Sequence, residues 1–535
     1  MSSTLKPEIV IGLAGPVGTD LRNLGTAIAE KLRSFGYRSE RIRASNLIQT
    51  YCDAELRGKI STAKHGERIR LLMLAGDHLR KQAESGDALV PLLVTAIRSI
   101  RSKFNENRKI SVADKYNKDD LEVFKSNTPA HNACYIIDSL KHEAEVAALR
   151  RIYGENFILI SGFSSIHERE SQLCDAIAKS HTSTQNDTFK SEALKLIITD
   201  AKRPGEKLGQ SLRETFPLAD FFIRVSGDYE SELERFLKLY FGSPYITPRK
   251  DEFHMFEAKA KSYRSADLSR QVGAVIVDGD CNIVSSGCNE VPMAHGGSYW
   301  PDQPQKFDNR DYAKGRDYNS VKKYEIISEF IKFLDENKIA KFEEIDAEKV
   351  VDDLLFGSKK EPFKDLRVSN LIEFGRVVHA EMNAITLAAK RGLKIGGGSI
   401  YCTTFPCHMC ARHIIASGLM RVVYIEPYPK SMTAELYPES VAIDGEASSK
   451  KEGDAEIDSR KVQFEPFEGV APTLYPKLYA AGNRKDSRGY TLPWDKETAL
   501  PKLIRASTAH PALELPFTTK VANLSEVRLE DISGS

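Results

Sequence analysis

The chain has 535 residues, a formal net charge of +1, 41% hydrophobic and 28% charged residues. That length suits two or three domains of ordinary globular composition, and near-neutrality leaves no bulk basic footprint for nucleic acid or anionic membrane. No apolar run approaches a membrane span, the N-terminus lacks a signal-peptide pattern, and eight cysteines in so long a chain do not make a disulfide framework, so a cytoplasmic protein with no membrane partner is expected.

Residues 8–14, EIVIGLA, predict a buried strand. Gly15-Pro16-Val17-Gly18-Thr19-Asp20 follows, and then the helical pattern LRNLGTAIAEKLRSFG. Strand, glycine-containing turn and helix make the layout of a phosphate-binding loop. Three positions depart from the G-x-x-x-x-G-K-[ST] pattern: Asp20 stands for the second Gly, Leu21 for Lys and Arg22 for Ser/Thr. Phosphoryl transfer is therefore not expected, while nucleotide binding through backbone N–H groups at Gly15, Gly18 and Thr19 is. The region from about residue 41 to 104 predicts several helices, whose Arg41, Arg43, Arg68 and Arg70 are either nucleotide-site residues or solvated helix faces. ACYIID (133–138) predicts a strand ending on Asp138, which stands either as a Mg²⁺-holding acid or as a structural cap. NFILISG and ADFFIRVSG continue the alternation of strand and helix. Residues 8–230 thus predict a doubly wound parallel sheet.

Pro244, Pro248 and the charges around Lys250 place a domain boundary near residue 248. Beyond it come a helix in EFHMFEAKAKSYRSADL, a strand in SRQVGAVIV, a hairpin turn at DGDCN and a return strand in IVSSGCNEVP. Residues 296–370 are long, charged and Tyr/Asp-rich, and read as an insertion; Trp300 and Tyr312 are expected to pack rather than to stack on a base. GGSIYCTTF and MRVVYIEPY predict two more strands. The region from about 440 onward begins with an exposed polar loop and ends in mobile residues.

The chemistry concentrates in FGRVVHAEMNAITLAAK and YCTTFPCHMCARHIIASG, which read H-x-E (His379, Glu381) and P-C-x-x-C (Cys407, Cys410). This is the signature of zinc-dependent nucleobase deaminases. One imidazole and two thiolates suit Zn²⁺, and three protein ligands leave a fourth position for water, whose pKa the metal lowers. Cys407 and Cys410, three residues apart at a helix start, present both sulfurs on one side, and the helix N-terminus favours thiolate. Glu381, too close to His379 to serve easily as a second ligand, is placed to shuttle protons. The rival reading is a structural zinc site closed by Cys402, His408 or His413; it gives no reason for Glu381 or Pro406.

Residues 250–430 resemble the deoxycytidylate deaminase branch of the cytidine deaminase superfamily through SRQVGAVIV, GCNEVP, VVHAEMNAI, TTFPCHMC and VVYIEPYPKS. The resemblance implies an α/β/α fold around a mixed sheet, catalysis by Glu381, zinc on His379, Cys407 and Cys410, and substrate contacts by Asn289, Tyr428 and Lys430. GCNEVP departs from the GYNG-x-P form of the short deaminases, which touches the phosphate or effector contacts. The order of the parts, with YIIDSLKH and LRRIYGENFILISGF in the first half, is similar to bacterial anti-phage dCTP deaminases of the AvcD type. That resemblance implies a P-loop kinase-like regulatory domain over residues 1–247, a deaminase domain over 248–480 and a C-terminal extension over 481–535. It further implies conversion of dCTP and dCMP to dUTP and dUMP, homo-oligomers, and control by a nucleotide effector or a small inhibitory RNA. The alternatives are deamination of cytosine or adenine in a nucleic acid, and a nucleotide kinase or nucleotide-sensing regulator with an accessory deaminase domain.

Overall fold

The computed structural model describes residues 5–106, 118–201, 211–339, 347–364, 366–427, 431–443, 460–504 and 510–532. Two compact units emerge, one of residues 1–252 with 468–535 and one of residues 253–467. The boundary falls within helix Lys250–Ser262. Residues 468–480, expected to end the deaminase domain, belong to the first unit, as does the expected C-terminal extension.

In the first unit, β1 (Ile9–Ala14), β2 (Arg38–Arg43), β3 (Ala133–Asp138), β4 (Phe157–Phe163) and β5 (Phe221–Arg224) run parallel in the order β5-β4-β1-β3-β2. The order reverses at β1, whose neighbours on both sides come later in the chain. β1 and β4 are buried along their whole length, the pattern of strands covered on both faces. β2 corrects the expectation of helices from residue 41. Its sequence RSERIR buries only Ile42, because it lies at the sheet edge and needs little apolar surface. A short strand, Gly469–Val470, pairs antiparallel with β5. From the same C-terminal segment, Val470, Leu474 and Leu478 join the core of Ile9, Leu13, Ile28, Ile136 and Phe236. A separate cluster of Ile48, Leu56, Leu71, Leu74 and Leu92 is closed by Val527 and Ile532.

The second unit is a mixed sheet of β6 (Gly273–Val277), β7 (Ile283–Cys288), β8 (Ser399–Thr404), β9 (Arg421–Glu426), β10 (Val441–Ile443) and β11 (Val462–Pro466), in the order β10-β11-β9-β8-β6-β7. β6 is antiparallel to β7 and β8, and the remaining pairs are parallel. The hairpin turn lies where DGDCN predicts it, with Cys281 at φ 66°. Helix Ala380–Lys390 packs on β7 through Ala380 and Ala384, at a position that only glycine allows. A Cβ on Gly287 would stand 2.3 Å from the Ala380 carbonyl oxygen and 2.5 Å from the Ala384 nitrogen. The insertion carries a small core of its own, with Ile327, Ile331 and Val351 at its centre.

Candidate active site

His379 and Cys407 occupy equivalent places in two helices. His379 is the N-cap of Ala380–Lys390 and Cys407 the N-cap of His408–Ala416, both in extended backbone (φ −64°, ψ 156° and φ −66°, ψ 161°). Both side chains therefore project from helix N-termini, where unpaired N–H groups make a positive potential. Cys410 sits one turn into the second helix and is buried. His379 Nδ1 lies 3.3 Å from Cys407 Sγ and 3.4 Å from Cys410 Sγ. A tetrahedral zinc with its usual Zn–S and Zn–N lengths sets nitrogen and sulfur about 3.6 Å apart, so this donor set and its spacing fit that ion.

Among the described residues, no further His, Cys, Asp or Glu joins the three-residue group. Cys402, His408 and His413, the alternatives for a fourth ligand, stand outside it. Three protein ligands among the described residues match the donor count of a zinc site that also takes water.

Glu381 lies in the first turn of its helix, 4% exposed. Burial, and then the neighbouring Cys407 sulfur, push its carboxyl up to about 7, and its side chain hydrogen-bonds with Cys410. A buried carboxyl poised near neutral pH exchanges protons readily in both directions. The hydrogen bond with Cys410, followed by His379, draws the Cys407 thiol down to about 4, while the same contact pushes Cys410 up. The hydrogen bond to Cys407 raises His379 to about 9.

The loop Phe405–Cys407, which carries one of the three residues, is fixed to β9. The Phe405 N–H donates to the Glu426 carbonyl, and the Thr404 hydroxyl donates to Glu426 Oε2 at 3.3 Å. The Ser431 hydroxyl donates to the Pro406 carbonyl. Glu426 and Ser431 both lie in the stretch VVYIEPYPKS, and the fold brings them to this loop.

The predicted substrate residues fare differently. Asn289 is 6% exposed, and its amide is engaged at both ends: Oδ1 accepts from the Val272 N–H and Nδ2 donates to the Arg270 carbonyl, each at 2.7 Å. It braces the segment that enters β6. Tyr428 and Lys430 lie outside the described residues. Trp300 lies under the Arg264 guanidinium at 4.2 Å, and Tyr312 under that of Arg310 at 5.0 Å, so each ring is in contact within the chain.

In the first unit Gly15, Gly18, Thr19 and Asp138 border one cleft of about 450 Å³, with Arg43 and Lys141. Asp138 accepts from Arg41 Nη2 at 2.8 Å. Asp20 borders the cleft too and caps helix Leu21–Arg33 by accepting from the Asn23 N–H. Arg68 donates to Gln49. The sequence reading missed Lys141, which enters the cleft from beyond β3.

A family model described as "Cytidine and deoxycytidylate deaminase zinc-binding region" matches residues 248–426. The deoxycytidylate deaminase of Enterobacteria phage T2 is 46% identical over 54 residues, which is 10% of this chain and 29% of that protein. The probable deoxycytidylate deaminase of Drosophila melanogaster is 25% identical over 175 residues, 33% of this chain and 58% of that protein. The chain thus spans less than a third of the phage relative and just over half of the fly one. A dCMP deaminase from the cyanophage S-TIM5, solved with dCMP and dUMP, aligns with 42% of this chain and all of its own length at 19% identity. Its TM-score of 0.22 is too low to bear on the fold. Residues 248–426 carry a domain of the cytidine and deoxycytidylate deaminase type.

Proposed function

We propose that this chain is a zinc-dependent deaminase of free cytosine deoxynucleotides, converting dCTP, dCMP or both to the uracil nucleotide and ammonia. Depletion of the dCTP pool against phage is its role in this reading. The observation that carries the chemistry is the three-membered His379–Cys407–Cys410 group at two helix N-termini, with the buried Glu381 beside it. The deaminase match over residues 248–426 and the deoxycytidylate deaminases among the relatives support the substrate class.

His379, Cys407 and Cys410 hold the zinc, which when bound makes water nucleophilic near neutral pH. Glu381 takes the proton that water loses as it adds to C4 of cytosine. It passes that proton to ring N3 and then carries one to the departing amino group, so that one water enters and one ammonia leaves. The carbonyl groups around Thr404 and Phe405 orient the amino group. Asn289 acts by holding the backbone at Arg270 and Val272, and Tyr428 and Lys430 contact the nucleotide. The first unit senses a nucleotide.

The test is ammonia release from dCTP, dCMP, CMP, dAMP and a single-stranded oligonucleotide, with Glu381→Ala as control. Release from dCTP or dCMP, lost in the variant, is expected. Release from the oligonucleotide alone overturns the substrate assignment and makes the chain a nucleic-acid deaminase.

A further inference from the structure

The loop Gly15–Asp20 lacks the lysine of a working phosphate loop, with Leu21 in its place. The fold supplies a lysine from elsewhere. Lys141 follows β3, and its Nζ donates to the Gly15 carbonyl at 2.9 Å. The same Nζ donates to Asp200 Oδ1 at 2.8 Å, and the Val17 N–H donates to Asp200 Oδ2 at 2.6 Å. Asp200 ends helix Lys190–Ala201 and has no exposed surface. A loop N–H and an ammonium gripping two oxygens of one anion are the contacts that such a loop offers to phosphate. Here the anion is a carboxylate of the chain.

We propose that Lys141 and the Gly15–Asp20 loop form an oxyanion site latched by Asp200, and that the adjoining cleft takes a nucleoside phosphate whose phosphate displaces that carboxylate. The cleft has about 450 Å³, within the range of small-ligand sites. It lies beyond the carboxyl ends of β1 and β3, where the strand order reverses, the place at which open α/β sheets bind ligands. Its lining includes the apolar Ile48, Ile69, Leu72 and Met73 and, among charged residues, Arg43 and Lys141 with Asp20 and Asp138. Apolar side chains for a ring and cations for an anion together select a nucleoside phosphate over a lone inorganic anion or an apolar molecule. Thr19 borders the same cleft, and its hydroxyl oxygen is buried and has no hydrogen-bond partner among the described residues. The site deepens the reading of the first unit as a nucleotide sensor and does not depend on the deamination chemistry.

A latch lowers apparent affinity by the fraction of molecules in which it is closed. Removing its charge without changing its shape should therefore strengthen binding. The experiment compares full-length wild-type protein, Asp200→Asn and Lys141→Met by equilibrium binding of inorganic pyrophosphate, dATP, dGTP and dTTP. Cytosine nucleotides are omitted, which keeps the deaminase site out of the readout. Asp200→Asn should bind pyrophosphate and at least one of the nucleotides about tenfold more tightly than wild type, and Lys141→Met should lose that binding. The Asn variant should also be less heat-stable alone and be restored by the anion, since it leaves the Lys141 ammonium without the opposite charge of Asp200. Destabilisation without tighter binding or anion rescue would make Asp200 a structural residue and overturn the proposal. Binding of pyrophosphate but of none of the three nucleotides would overturn the nucleotide assignment. The wild-type chain gives a check free of variants: saturating nucleotide should raise amide exchange in helix Lys190–Ala201 and protect Val17, and unchanged exchange in both segments on proven binding sinks the latch. Ammonia release from dCMP, measured separately, reports on the deaminase reading alone.

Discussion

Glu381 and Cys407 lie close together but have separable parts. Cys407 contributes a sulfur to the His379–Cys407–Cys410 group, whereas Glu381 stands outside it, buried and raised towards neutral pH. Glu381→Gln should keep its zinc and lose about 10²–10⁴-fold or more in turnover, the span of a positioned proton-transfer group. Cys407→Ala should lose zinc and activity together, because two ligands rarely hold the ion. Metal analysis beside ammonia release distinguishes them: zinc loss in Glu381→Gln removes its proton-transfer role, and an active, metal-free Cys407→Ala refutes the site. At the same scale Asn289, a substrate contact by resemblance to the deoxycytidylate deaminases, engages backbone of the chain with each end of its amide.

At the scale of elements, the site depends on how closely helix Ala380–Lys390 approaches β7. Gly287 permits that approach, since a Cβ there meets helix backbone and not a movable side chain. Gly287→Val should push the helix away, at a cost of about 1–3 kcal/mol as for other overpacked cores. It should also weaken zinc retention, because the helix carries His379 at its start. Gly279 in the hairpin turn has no atom within 4 Å of a built Cβ, so Gly279→Ala is the matched control. Melting temperature and zinc content decide; a Gly287→Val protein indistinguishable from the control would show that the contact yields without effect on the site.

Across the whole molecule, the first unit is completed by residues far away in the chain. Glu8, just before β1, accepts from Arg101 Nε at 2.8 Å and from His510 Nε2 at 2.6 Å, and Arg101 also holds Glu514. Burial alone would raise the Glu8 carboxyl, but the His510 and Arg101 contacts override it and hold it down at about 2. A depressed carboxyl stabilises fully above its unfolded value near 4.5 and loses that contribution as pH falls towards 2. The shift corresponds to about 3 kcal/mol. Glu8→Gln should therefore lower stability at neutral pH and flatten the decline between about pH 5 and 2. Thermal unfolding across that window checks it, and an unchanged acid slope would assign the acid sensitivity to other groups. The same architecture makes residues 468–535 unsuited to life without the first 252. Deleting residues 1–252 alone should expose Val470, Leu474 and Leu478 and cause aggregation, whereas residues 253–467 alone should stay dispersed and bind zinc. Light scattering of the two fragments settles the division.

The sequence by itself picked out His379, Cys407 and Cys410, which the fold brings together, and the neighbouring Glu381, because H-x-E and P-C-x-x-C are local patterns set by helix starts. It also determined most strands, since β1, β3 and β4 are covered on both faces and read as unbroken apolar runs. Edge strand β2 escaped, because an edge needs only one buried residue, Ile42. The return of residues 468–535 to the first unit escaped too. It rests on contacts such as Glu8 with His510, 502 positions apart, which no local periodicity can encode. For the same reason only the tertiary structure could bring Lys141 and Asp200 to a loop whose own sequence lacks a lysine. Local spacing fixes what a helix or strand presents, whereas charge partners across a core are chosen by the packing of elements that the sequence keeps apart.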